Sequence, residues 1–107
     1  MLLSMSNARG NPRSQLASAS MILIDPPAVP RWDRLWSHLA SDTSYDEVHA
    51  FAAAQGIPAR GWDGDHYDVP DDHYERMVAA GAVPVTSREL VAALRAAGLR
   101  RPKPLRD

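Results

Sequence analysis

Leu35-Trp36-Ser37-His38-Leu39-Ala40-Ser41-Asp42-Thr43-Ser44-Tyr45-Asp46-Glu47-Val48-His49-Ala50-Phe51-Ala52 is the stretch in which the periodicity of this chain changes, and the change decides the fold class. Through Ala40, residues Leu35, Ser37 and Leu39 alternate with Trp36, His38 and Ala40, which is the period of a strand; a short helix fits these six residues nearly as well. From Ser44 the period is helical. Ser44-Tyr45-Asp46-Glu47 has the pattern of a capping box, in which Ser accepts from the third helical N–H and Glu reaches back. Val48, Phe51 and Ala52 then fall at i, i+3 and i+4, and Gly56 offers a left-handed cap. A helix is expected over residues 44–55.

Upstream, Met21-Ile22-Leu23-Ile24 is a short β-prone run stopped by Asp25-Pro26-Pro27, because proline cannot continue a central strand. Residues 26–34 read as a proline-bearing loop. Downstream, Ala59–Trp62 and His66–Val69 read as extended pieces around the turn Asp63-Gly64-Asp65. Asp71 or Asp72 opens a second helix with Tyr74, Met77 and Val78 on its apolar face and Gly81 at its end. Val83-Pro84-Val85 is a short edge strand. Thr86-Ser87-Arg88-Glu89 is a second capping box, leading a third helix whose core face is Leu90, Val91 and Leu94 and which Gly98 closes. Strands alternating with helices predict a small single α/β domain: three helices on a mostly parallel or mixed sheet of about four strands. Ligand sites in such sheets lie beyond the carboxyl ends of the strands, where Asp25, Ser41-Asp42, the Val69–Asp72 turn and Thr86-Ser87 fall.

The 107 residues suffice for one domain. Residues 1–20 show no sustained period and read as a disordered extension, with Met21 an alternative start; the α/β domain is expected over 21–98, and a basic, proline-containing tail over 99–107. The net charge of −1 conceals a division. Residues 21–98 hold six Arg and no Lys against twelve Asp plus Glu, whereas the tail is basic. An acidic body repels a nucleic-acid backbone, which argues against that partner. No apolar run approaches a membrane span of about 20 residues. With no cysteine, thiolate sites and disulfides are excluded, which fits a reducing cytoplasm.

The densest chemistry lies in Trp62-Asp63-Gly64-Asp65-His66-Tyr67-Asp68-Val69-Pro70. On a strand His66 and Asp68 share a face, so the carboxylate can orient the imidazole or raise its basicity, while Tyr67 points the other way into packing. His38 and Asp42 form a second group, although Asp42 beside Thr43-Ser44 is more naturally a helix cap. His49 and His73 read as boundary and first-turn residues. Asp63, Asp65 and Asp68 do not make a calcium loop: counting from Asp63, the sixth and twelfth positions are Asp68 and Tyr74, where Gly and Glu are required. Should the two polar groups meet, His38, His66 and Asp68 are the candidate catalytic residues. The same three, with Asp42 and Asp25, are candidate ligands of a divalent metal ion. Trp36, Trp62 and Tyr67 are candidates to wall a pocket and stack a base, against the plainer role of core packing.

Taken together, Ile24-Asp25-Pro26-Pro27, Leu35-Trp36-Ser37-His38-Leu39, Ser41-Asp42-Thr43, Val48-His49-Ala50-Phe51-Ala52, Asp65-His66-Tyr67-Asp68-Val69-Pro70 and Gly81-Ala82-Val83-Pro84-Val85 resemble a small bacterial and phage family, domain of unknown function 4031. The resemblance covers roughly residues 21–98 and implies a stand-alone module; it brings no activity, cofactor or substrate. The residues themselves point to a His/Asp-lined pocket, read as a metal-dependent hydrolase-like site for a phosphate-containing or nucleotide substrate. The alternative is a non-catalytic module that binds a small molecule, a nucleotide or a protein.

Overall fold

The computed structural model describes residues 20–101. The expected disordered extension, save Ser20, and the tail beyond Arg101 lie outside the described residues. One long strand organises the rest. Arg34–Ser41 (β3) pairs antiparallel with Ile22–Ile24 (β1), Val29–Arg31 (β2) and Tyr67–Pro70 (β4). Leu39 pairs with both Ile24 and Tyr67, and Trp36 with both Val29 and Pro70, so β1 and β2 run along one edge of β3 and β4 along the other. Val83–Pro84 (β5) lies parallel to β1.

Residues 26–34 are therefore not simply a loop. From Ile24 to Val29 one arm advances five residues while its partner advances three, from Leu39 to Trp36. The ladder continues through Asp25 N–H to His38 O (3.2 Å) and Ala28 N–H to Trp36 O (3.2 Å), so the two surplus residues are Pro26 and Pro27, which have no N–H to offer it. The prolines mimic a strand stop while making a bulge. Beyond it, β2 turns into β3 through Trp32 and Asp33, both at positive φ (52° and 61°), as a two-residue mirror-image hairpin turn requires. Such turns normally use Asn and Gly, and a non-glycine residue there costs on the order of 1 kcal/mol or more.

The sheet is mixed, since β1 with β5 is its parallel pair and every pairing of β3 is antiparallel, and among the described residues it has five strands because β2 joins those expected. Tyr45–Ala54 (α1), Tyr74–Ala79 (α2) and Ser87–Ala96 (α3) are the three α-helices among the described residues. The box at α1 is half made. Ser44 Oγ accepts from Glu47 N–H (3.1 Å), but the Glu47 carboxylate accepts from Ser41 Oγ (2.6 Å), tying the helix to the end of β3. The box at α3 is complete, Thr86 Oγ1 accepting from Glu89 N–H (3.0 Å) and Glu89 Oε1 from Thr86 N–H (2.9 Å). Ala59–Trp62 is not extended: Ala59–Gly61 forms a 3₁₀ turn after Pro58. Another, Asp71–His73, leads into α2, and neither Asp71 nor Asp72 caps it.

The two faces of the sheet differ. Ile22, Ile24, Leu39, Tyr67 and Val69 pack under Val48 and Ala52 of α1 and Met77 of α2. On the opposite face, Leu23 and Ala40 pack against Leu90 and Leu94 of α3. That short helix covers only part of its face. Asp25, two residues beyond Leu23, and His38, two before Ala40, lie on the same face just past it. No helix among the described residues is long and apolar enough to cross a membrane.

Two core positions of β3 should respond in opposite ways. Leu39 is fully buried, and Leu39→Ala is expected to cost about 2–5 kcal/mol. Ser37 is equally buried and its hydroxyl has no hydrogen-bond partner among the described residues, so Ser37→Ala is expected to be neutral or stabilising by about 1 kcal/mol. Urea unfolding of both variants checks the pair.

Candidate functional site

Strand pairing assembles the site. His38 on β3 lies directly opposite Asp68 on β4, and directly opposite residues share a face. His66, two before Asp68, comes to the same place. The rings of His38 and His66 meet edge to face with centroids 4.7 Å apart. His38, His66 and Asp68 each present one donor atom, all within 4.8 Å of one another.

Each imidazole is held from behind by its own buried carboxylate. Asp25 Oδ2 lies 2.7 Å from His38 Nδ1 and accepts from Ser87 Oγ (2.7 Å), while Asp25 Oδ1 accepts from His38 N–H (2.6 Å). Burial alone would raise the Asp25 pKa, but the hydrogen bonds from His38 and Ser87 outweigh it and hold the carboxyl below its usual range. An ionised carboxylate only accepts, so His38 Nδ1 carries the proton that faces Asp25. Asp65 Oδ1 binds His66 Nδ1 (2.7 Å) in the same way. Its other oxygen accepts from Arg101 N–H (2.7 Å) and Arg100 (3.2 Å), and these donors with His66 overcome burial and lower its pKa.

His66 Nε2 stands 3.2 Å from Asp68 Oδ1 and 3.9 Å from Asp63 Oδ2. Asp68 Oδ2 accepts from Arg31 (2.9 Å). Burial raises the Asp68 pKa less than His66, Arg31 and His38 lower it. Burial would depress His66, yet Asp68 and Asp65 on either side keep its imidazolium favoured above the ordinary pKa of 6.5.

The other expected site residues are dispersed. Asp25 stands behind His38. Asp42 lies past the far end of β3, where Oδ1 accepts from Met21 N–H and Thr43 Oγ1 (both 2.8 Å); the helix cap is Ser44. Trp36 lines a cleft on the site's face of the sheet. Trp62 and Tyr67 instead form an aromatic cluster with His49 and Tyr45: the rings of Trp62 and His49 meet at a tilt of 57° with centroids 4.4 Å apart, and Tyr67 OH lies 2.7 Å from His49 Nδ1. Sequence reasoning missed Asp65 as a partner of His66, because neighbours on a strand point apart. The turn at Gly64 (φ 82°) removes that constraint. It also missed Ser87, Arg31 and Arg100. The strand-end position of Ser87 was the one signal among them.

Metal-free stability should follow from these shifts. The lowered Asp25, Asp65 and Asp68 stabilise above about pH 4 and cease to as pH falls through their folded values. His66, being raised, stabilises fully below about pH 6.5, and the contribution is lost as pH rises through its folded pKa. The urea midpoint is expected to drop between pH 6 and pH 9, and His66→Asn to flatten that drop.

Neither a curated protein nor a solved structure matches the chain. Residues 22–97 match the family described as Protein of unknown function (DUF4031), a span that holds every strand and helix among the described residues and the whole His38–His66–Asp68 cluster. The chain belongs to that family.

Proposed function

We propose that His38, His66 and Asp68 form a divalent-metal centre and that the protein is a metal-dependent hydrolase-like enzyme. The observation that carries this is the paired support of the imidazoles. Both Nδ1 atoms are fixed by buried carboxylates, and one donor atom from each ring and from Asp68 lie within 4.8 Å of one another. Carboxylates behind metal-binding imidazoles set the tautomer and raise ligand basicity. A core network has no need to turn its nitrogens towards a cleft, yet His38 and His66 line an opening of about 200 Å³ with Asp25, Asp63 and Asp65. Two imidazoles and one carboxylate suit a zinc, iron, manganese or nickel ion better than magnesium or calcium, which prefer all-oxygen shells.

A cation there supplies Lewis-acid chemistry, polarising a phosphoryl or carbonyl oxygen. The chain's own residues do the rest. Asp25 and Asp65 hold the rings, Ser87 and the start of α3 wall one side, and Asp63 brings a further carboxylate to the mouth as a proton acceptor. The cysteine-free composition agrees with a cytoplasmic setting.

Thermal unfolding after chelation tests the centre. A metal at about a hundredfold its Kd adds about 2.7 kcal/mol, which in a domain this size raises Tm by about 10 °C or more. Zn²⁺, Mn²⁺ or Ni²⁺ is expected to do so saturably, and Mg²⁺ and Ca²⁺ are not. His38→Ala, His66→Ala and Asp68→Asn should abolish the rise, and Asp25→Asn should weaken affinity by about 10–100-fold. No rise with any metal would make the cluster a structural hydrogen-bond network.

A further inference from the structure

The face of the sheet that holds the cluster continues, uncovered by α3, towards the β2–β3 turn. Same-face positions along a strand recur about every 7 Å. On β3 the order is His38, Trp36, Arg34, and Arg31 of β2 lies opposite Arg34. Trp36, Arg34 and Arg31, with Trp32 and Arg60, line a cleft of about 360 Å³ that Asp68 lines as well. The cleft thus shares one carboxylate with the His cluster: Asp68 Oδ1 faces His66, and Oδ2 binds Arg31.

Its chemistry is unlike that of the acidic body. Three of the six arginines of residues 21–98 lie here. Arg31 is committed, being paired with Asp68 and lying over Trp32 (4.6 Å) and Trp36 (5.9 Å). Arg34 has only a long, exposed contact with Asp72 (3.5 Å), and Arg60 has no polar partner among the described residues. Trp32 and Trp36 meet edge to face at 5.7 Å, and the Trp36 Nε1–H donates to Arg31 O (2.9 Å), fixing its ring. Trp32 is 74% exposed and is held at positive φ in the turn. A large aromatic so exposed does no packing work for the core. Standing beside guanidiniums, it has the chemistry that stacks a base and neutralises a phosphate.

We propose that this cleft is the substrate subsite and that it takes a free nucleotide, a nucleoside monophosphate whose base stacks on Trp32 and Trp36 and whose phosphate is drawn by Arg34 and Arg60 towards Asp68. This rests on the metal-centre reading above, which supplies the cation that offsets Asp68. A single nucleotide fits better than a nucleic-acid strand, because the cleft holds only about 360 Å³ and the surrounding body is acidic.

Calorimetric titration of the full chain with AMP, CMP, GMP and UMP, with and without Zn²⁺, tests the subsite. At least one should bind saturably at one site, at least tenfold more tightly than inorganic phosphate. Trp32→Ala and Arg60→Ala, both at exposed positions, should each weaken it at least tenfold while leaving the Zn²⁺-induced rise in Tm intact. The proposal is overturned if none binds, if inorganic phosphate binds as well, if Trp32→Ala changes nothing, or if a ten-residue oligothymidylate binds more than tenfold more tightly than any monophosphate. A Zn²⁺ rise without nucleotide binding sinks the subsite and leaves the metal centre. Nucleotide binding without a Zn²⁺ rise sinks the metal centre, and with it the placement of the phosphate towards Asp68, while the stacking on Trp32 and Trp36 stands.

Discussion

The carboxylate of Asp25 holds three elements at one point: the end of β1 that carries it, β3 through the N–H and ring of His38, and the first residue of α3 through Ser87. It is 1% exposed, so an ionised group there survives only because all these donors face it. Taking away one partner of such a buried charge typically costs about 3–5 kcal/mol. The position also explains the prolines. Pro26 and Pro27 follow at once and leave the ladder, so the chain escapes sideways where Asp25 turns in beneath α3. Strand register, helix docking and the orientation of a histidine therefore share one constraint.

That arrangement divides one sheet face into two territories. Leu23 and Ala40 lie under α3 and contribute to stability. From His38 outward the same face is open, and each next position carries chemistry rather than packing. The face opposite, under α1 and α2, holds the larger apolar cluster and leaves the open half free of any packing duty. A small domain can leave half a sheet face bare only when its other face supplies most of the buried area.

Legibility in the sequence followed the range of the interactions. The helices were readable because their signals are local: Thr86 and Glu89 satisfy each other three residues apart, and Leu90 and Leu94 share a face by period. His66 and Asp68 were readable as a pair for the same reason, being two apart beside a strand. Ser44 and Glu47 show where local reading fails, since Glu47 found a better partner in Ser41 across the β3–α1 turn. The strand β2 was hidden because Pro30 and the Pro26-Pro27 pair carry loop chemistry, and its pairing depends on β3 rather than on its own residues. The pairing of Asp25 with His38, 13 residues apart, and of Asp65 with Arg101, 36 apart, left no pattern in the chain to find. Only the sheet and the fold-back of the C-terminal residues create them.

The last of these contacts makes the family's boundary different from the molecule's. The matching span ends at residue 97, yet Tyr45 OH donates to Leu99 O (2.5 Å), and Arg100 and Arg101 supply two of the three groups bound to the Asp65 carboxylate, itself 1% exposed. A fragment trimmed to the matching span would keep every strand and helix of the described residues but strand a buried anion behind His66. The short segment after α3 is thus a latch on the back of the cluster, and whatever pulls on it pulls on an imidazole.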